Sequence, residues 1–161
     1  MAVEFRCATA RGRGYARGLR ADADRLMRAA GLDECELSLT LTSDRAMRRL
    51  NRDFRGIDTP TDVLSFSQIE QAGSAPPNPR NVKNGPGLPV GDVVISIDTA
   101  LRQAREYRVT PSSRLRRLLI HGFLHLIGYD HERSPADARR MFARERTLAA
   151  KMAEKGRDFS R

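Results

Sequence analysis

The chain has 161 residues, a length that fits one domain with a core of its own and no need of disulfide staples. Lysine and arginine number 29 against 20 for aspartate and glutamate, a formal net charge of +9. Such a balance points to a polyanionic neighbour, because arginine makes bidentate phosphate contacts, or else to a surface that only resists self-association. No run approaches the ~20 apolar residues of a membrane span, and the first residues carry no signal-peptide core. Cys7 and Cys35 form neither a CxxC pair nor a disulfide framework. A soluble, cytoplasmic chain with two buried thiols on strands is expected.

The pattern along the chain alternates strands and helices. "VEFRCA" reads as a short strand, and Tyr15 to Ala30 as a helix with Leu19, Ala23, Leu26 and Met27 on one face, stopped by Gly31. In "CELSLTLT" Leu37, Leu39 and Leu41 alternate with Ser38, Thr40 and Thr42, the mark of a half-buried strand. Ser43 caps a helix carrying Met47, Leu50 and Phe54, and Gly56 and Pro60 break the chain before a strand at "VLSF". Gln68 to Pro89, rich in Gly, Pro, Asn and Ser, is expected to be a mobile loop, long for a compact domain.

"GDVVISI" is β-branched enough for an interior strand, and Asp98 is expected to cap the helix after it. Thr110 and Pro111 open the next helix, whose Leu115, Leu118, Leu119, Phe123, Leu124 and Ile127 make it the central one; Gly128 suits a left-handed stop. Ser134 and Pro135 start the last helix, expected to end at Gly156 before a short tail at 157–161. The fold class is α+β, a small mixed sheet of about four strands packed by about five helices.

All three histidines of the chain fall within "HGFLHLIGYDH", His121 to His131. His121 and His125 are four apart on a helix and so share one face. His131 follows Gly128, where the chain can turn back toward them. Three imidazoles suit Zn²⁺ and leave a coordination position for water, the mark of a catalytic rather than a closed structural site. Nickel and copper also accept such ligands. The alternatives are three unrelated histidines, or a structural zinc closed by Asp130 or a cysteine.

The spacing HxxxHxxGxxH is also the frame of the metzincin proteases, but Gly122 stands where their general-base glutamate does. The cage is kept and the protease base is missing, so a metalloprotease is the lesser reading. Asp130 can serve as a turn residue, as an orienting carboxylate or as a base. Asp62 and Ser65 either line the same cleft or sit at a strand edge. Arg114, Arg116 and Arg117 either form a basic groove or are the solvated face of the central helix.

"HGFLHLIGYDH" resembles the HGxLHLxGYDH signature of the YbeY family of bacterial rRNA-maturation endoribonucleases. "LNRDFRGIDTPTDVLSF", "GDVVISID" and "QAREY" resemble further blocks of that family, in the expected order, so the likeness runs from about residue 37 to 150. The loop from Gln68 to Pro89 is longer than the family pattern leads one to expect. The resemblance implies a metal-dependent, single-strand-specific endoribonuclease that processes the 3′ end of small-subunit rRNA and acts in ribosome quality control. It implies that His121, His125 and His131 are metal ligands and that Arg55, in "FRG", is functional. A guanidinium there could hold the non-bridging oxygens of a phosphodiester as charge builds on them. A non-catalytic ribosome-assembly factor with a structural zinc is the remaining alternative.

Overall fold

The computed structural model describes residues 3–69 and 77–158, with the side chains of 154–158 left aside. The elements in chain order are β1 (Val3–Cys7), α1 (Arg13–Ala29), β2 (Glu36–Thr42), α2 (Asp44–Arg55), β3 (Val63–Ser67), β4 (Pro89–Ser96), α3 (Ile97–Glu106), α4 (Pro111–Leu126) and α5 (Pro135–Asp158). The expected mixed sheet and helices are present. The strand order is β1-β2-β4-β3; β1, β2 and β4 run parallel and β3 runs antiparallel along β4 as an edge. Among the described residues no helix is long and apolar enough to cross a membrane.

Alternation along the strands decides the two faces of the sheet. Leu37, Leu39 and Leu41 of β2 and Val93 and Ile95 of β4 point into one core, shared with Leu19, Leu26 and Met27 of α1 and the apolar stripe of α4. The intervening residues face the other way, where Met47 of α2 packs on Leu64 and Val94 in a smaller cluster. The two helices α2 and α4 therefore flank the β3–β4 half of the sheet from opposite sides.

Three expectations are corrected. Asp98 does not cap α3: Ser96 does, accepting from the Thr99 amide at 3.3 Å. Asp98 instead accepts the Asp44 amide at 2.8 Å and so satisfies the start of α2. Two adjacent polar residues compete for a cap, and a neighbouring helix start settled the matter. The last helix continues through Gly156 to Asp158, since a glycine only weakens a helix and does not end one by itself. Cys35 precedes β2 instead of lying on it, buried with its thiol toward the Lys83 carbonyl at 3.3 Å, and Cys7 is half-buried.

Of the expected mobile loop, residues 70–76 lie outside the described residues. Its second half is tied to the start of β2: Asn84 accepts from the Glu34 amide at 3.0 Å and donates to Asp33 at 3.2 Å, and the Glu36 amide donates to the Leu88 carbonyl at 2.8 Å.

Candidate metal centre

The helix α4 positions the site, and its packing on the sheet comes first. Ser65 Oγ donates to the Gly122 carbonyl at 2.8 Å, and Ser67 Oγ donates to the Leu126 carbonyl at 2.8 Å. These two hydroxyls of the edge strand fix the height and rotation of the helix. A Cβ at position 122 would lie 2.9 Å from Val63 Cγ2 and Val93 Cγ1, and 3.1 Å from Ser65 Oγ. Real carbon neighbours do not approach so closely, so the helix can lie this near the strands only with glycine there. The helical period then carries His121 and His125 to the flank of α4 instead of onto the sheet.

The end of the helix brings in the third histidine. The Tyr129 amide donates to the Leu124 carbonyl at 3.0 Å and the Gly128 amide to the His125 carbonyl at 3.2 Å, a Schellman motif. Gly128 has φ +111°, and a Cβ on it would run into the Pro77 carbonyl oxygen. The chain reverses there, and His131 returns against the helix.

One ligand nitrogen from each of His121, His125 and His131 lies within 4.8 Å of the others. His121 Nδ1 is 3.2 Å from Glu145 Oε1 of α5, so the carboxylate holds the proton on Nδ1 and leaves Nε2 as a lone pair facing the cluster. His121 Nε2 and His125 Nε2 stand 3.2 Å apart. Burial, and then the charge of the neighbouring imidazoles, pushes His125 below its ordinary pKa, which keeps it neutral and able to ligate at neutral pH. His131 has a buried Nδ1 with no hydrogen-bond partner among the described residues. An orphaned buried ring nitrogen beside two converging imidazoles is what a cation would satisfy, and the residues fit a transition metal with imidazole preference.

The other predicted residues are placed as follows. Asp130 accepts the Glu132 amide at 2.8 Å and pairs with Arg133 at 3.3 Å. The Glu132 amide first, then Arg133 and the histidines, hold its carboxyl below the usual carboxylate value. It is a turn residue that presents negative charge to the histidines, and such a low pKa makes a weak base at neutral pH. Arg55 is the last residue of α2, exposed, and no hydrogen bond or ion pair holds it among the described residues. Its neighbour Phe54 packs edge-on to Phe66 of β3 at 5.1 Å. Among the described residues Arg55 makes no contact with the three histidines.

Asp62 is a part-buried link between elements. It accepts from Val63 N and from Gln103, and lies 3.6 Å from Arg114, tying β3 to α3 and α4. Ser65 is the helix clamp described above. Of the three arginines read as a groove or a solvated helix face, Arg114 is largely buried in the Asp62–Gln103 network, and Arg116 is exposed and pairs with the buried Asp22 at 3.2 Å. Arg116 and Arg117 line a cavity together with Glu145 and Arg146, Arg114 and Arg117 line another beside Tyr107, and of the three Arg117 alone has no ion pair among the described residues.

The family model described as "Endoribonuclease YbeY" matches residues 15–153. This chain belongs to the YbeY family. Proteins named Endoribonuclease YbeY include one from Anaeromyxobacter sp. (strain Fw109-5), 48% identical over 149 residues, covering 92% of this chain and 71% of the relative. One from Chloroflexus aurantiacus (strain ATCC 29366 / DSM 635 / J-10-fl) is 42% identical over 142 residues, with 81% and 87% covered. One from Myxococcus xanthus (strain DK1622) is 50% identical over 147 residues, covering 91% of this chain, which spans 46% of that protein. The solution structure of TM1509 from Thermotoga maritima aligns with a TM-score of 0.63 at 24% identity, over 97% of this chain and 92% of that one, and supports the fold alone.

In this YbeY-family chain the residue that sequence reasoning missed is Glu145. It lies 24 residues beyond His121 on another helix, and nothing in local spacing links the two. The one available signal was a glutamate on a face of α5 that also carries the buried Met141 and Leu148. The protease frame is disfavoured by the same geometry that makes the site: position 122 faces Val63, Val93 and Ser65 of the sheet, so a glutamate there would be directed into the strands and not toward the histidines.

Proposed function

We propose that the chain is a zinc-dependent endoribonuclease of single-stranded RNA that works in the cytoplasm on the 3′ end of small-subunit rRNA and in ribosome quality control. Membership of the YbeY endoribonuclease family supports the reaction class. The observation that carries the metal dependence is the convergence of three imidazoles with one buried, unpartnered nitrogen. His121, His125 and His131 would hold the ion, and Zn²⁺ is assigned from the all-imidazole donor set. When bound it supplies Lewis acidity toward a phosphoryl oxygen or water.

The chain's own residues do the rest. Glu145 fixes the ring and tautomer of His121. Arg55, exposed and unpaired among the described residues, is free to take a phosphodiester's non-bridging oxygens in its fork of donors, an interaction that strengthens as charge builds in the transition state. Asp130 holds the turn that carries His131 and keeps negative charge next to the site.

The test is cleavage of small-subunit rRNA or ribosomes by metal-loaded protein, beside Arg55→Ala and His125→Ala, each checked for folding by circular dichroism. Cleavage lost in both folded variants supports the reading. Equal cleavage by all three would mean a contaminating nuclease, and the non-catalytic assembly factor would then be preferred.

A further inference from the structure

Beside the histidine cluster, between α5 and the anchored half of the long loop, runs a groove of about 730 Å³. Arg80 stands on the loop side, and Arg133, Arg140 and Arg144 on the other. Among the described residues, the carboxylates in its lining are Asp130 and Asp137. Both are already paired, Asp130 with Arg133 at 3.3 Å and Asp137 with Arg140 at 2.7 Å. Arg80 and Arg144 have no ion pair among the described residues, so the lining carries two uncompensated guanidinium groups, one from the loop and one from α5.

The position of this groove is what gives it meaning. Its wall includes Tyr129 and Asp130, the two residues before His131. Arg144 is the chain neighbour of Glu145, whose carboxylate meets His121. Asp137, Arg140, Arg144 and Thr147 recur at helical spacing and make one stripe along α5, about 15 Å long at 1.5 Å per residue. The groove therefore leads along α5 to the segment that holds the third histidine.

We propose that this groove holds the backbone of single-stranded RNA on its way to the histidine cluster, with Arg80 and Arg144 as the phosphate-binding pair. The proposal rests on the endoribonuclease reading. A stripe of guanidinium groups binds phosphates without reading sequence, which suits a strand held for cleavage. An acidic protein segment would meet the same charges, but nothing about it would require the groove to end at the histidines.

The experiment uses the full, metal-loaded chain and a fluorescein-labelled, single-stranded 2′-O-methyl oligoribonucleotide, with anisotropy read over a series of salt concentrations. An unmodified strand reports cleavage in parallel. The double variant Arg80→Ala/Arg144→Ala is compared with Arg17→Ala/Arg20→Ala, which removes the same charge from the exposed face of α1. Loss of two phosphate contacts should reduce the slope of log Kd against log salt by about 1.4, at ~0.7 per contact for single strands. The α1 pair should leave the slope as it is.

An unchanged slope in the groove variant, an equal change in both variants, or no binding by the parent protein would overturn the proposal. So would displacement by polyglutamate together with undiminished RNA binding by the groove variant, which would assign the groove to an acidic protein. A reduced slope in the groove variant without cleavage by any form would support the groove and refute the nuclease reading.

Discussion

Gly122 separates two accounts of the histidine motif, and replacing it with alanine tests them by sign. In an open helix position Gly→Ala gains about 1 kcal/mol from backbone entropy. Here the new methyl would stand 2.9 Å from Val63 Cγ2 and Val93 Cγ1, and 3.1 Å from Ser65 Oγ. Valine side chains are stiff at χ1 and these two belong to paired strands, so they yield poorly. Overpacking of this kind costs about 1–3 kcal/mol. Moving Ser65 also weakens its 2.8 Å bond to the Gly122 carbonyl, worth a further ~0.5–1.5 kcal/mol. Subtracting the helix gain leaves a net loss of about 2 kcal/mol, a fall in Tm of about 4–8 °C for a chain of this size. Gly18, mid-way along α1 with nothing within 4 Å of a built Cβ, is the internal control. There Gly18→Ala should raise Tm by about 2–4 °C. Both are read by thermal unfolding followed by circular dichroism, with metal chelated so that ligand binding does not mask the difference. If Gly122→Ala raises Tm as Gly18→Ala does, the close approach of α4 to the strands is wrong.

Two further outcomes follow from the site and from the junction of α2 with α3. Glu145→Ala should leave the fold intact but lower metal affinity about 10–100-fold, since it releases the ring of His121; a competitive chelator titration reads this, and affinity equal to the parent would remove Glu145 from the site. At the junction, burial raises the pKa of Asp44, but the hydroxyls of Ser96 and Thr99, each at 2.6 Å, and Arg102 at 2.8 Å outweigh it and hold the carboxyl below its ordinary 3.8. A depressed carboxylate stabilises the folded state above the unfolded-state pKa, and that stability is lost as pH falls through the lower folded value. Urea unfolding of the parent should therefore weaken below about pH 4 more steeply than that of Asp44→Asn, and parallel curves would show that Asp44 contributes nothing there.

What the sequence disclosed was local, and what it concealed was not. The histidine spacing, the cap at Thr110 and the stop at Gly128 are each encoded in a short local stretch, so His121, His125 and His131 could be named together and the structure brings them within 4.8 Å. The alternation in β2 and the β-branched run in β4 likewise announced their strands. Asp98 was assigned to the wrong helix because its true partner, the Asp44 amide, is 54 positions away. Whether Arg114 and Arg116 form a groove or a solvated face could not be read locally, because the carboxylates they pair with, Asp62 and Asp22, arrive from elsewhere in the chain. Glu145 and the groove at Arg80 and Arg144 depend on the docking of α5, which no local period describes.

The same logic explains why a metal-binding helix shared in spacing with proteases can serve a different substrate. In a helix that carries ligands at i and i+4, position i+1 is about a third of a turn from the first ligand. If that position faces solvent and substrate, it can offer a carboxylate to the reaction. Here it faces the sheet, where Ser65 and Ser67 of an edge strand bond to the helix carbonyls and pin it down. The cost is the internal base. The gain is a helix whose rotation is fixed by groups outside it, so that the two imidazoles are held by the sheet, and the first also by Glu145, without reliance on a mobile loop. On the proposed reading, charge stabilisation at the substrate would then come from elsewhere in the chain, and Arg55 and Arg144, without ion pairs among the described residues, are the groups proposed to supply it.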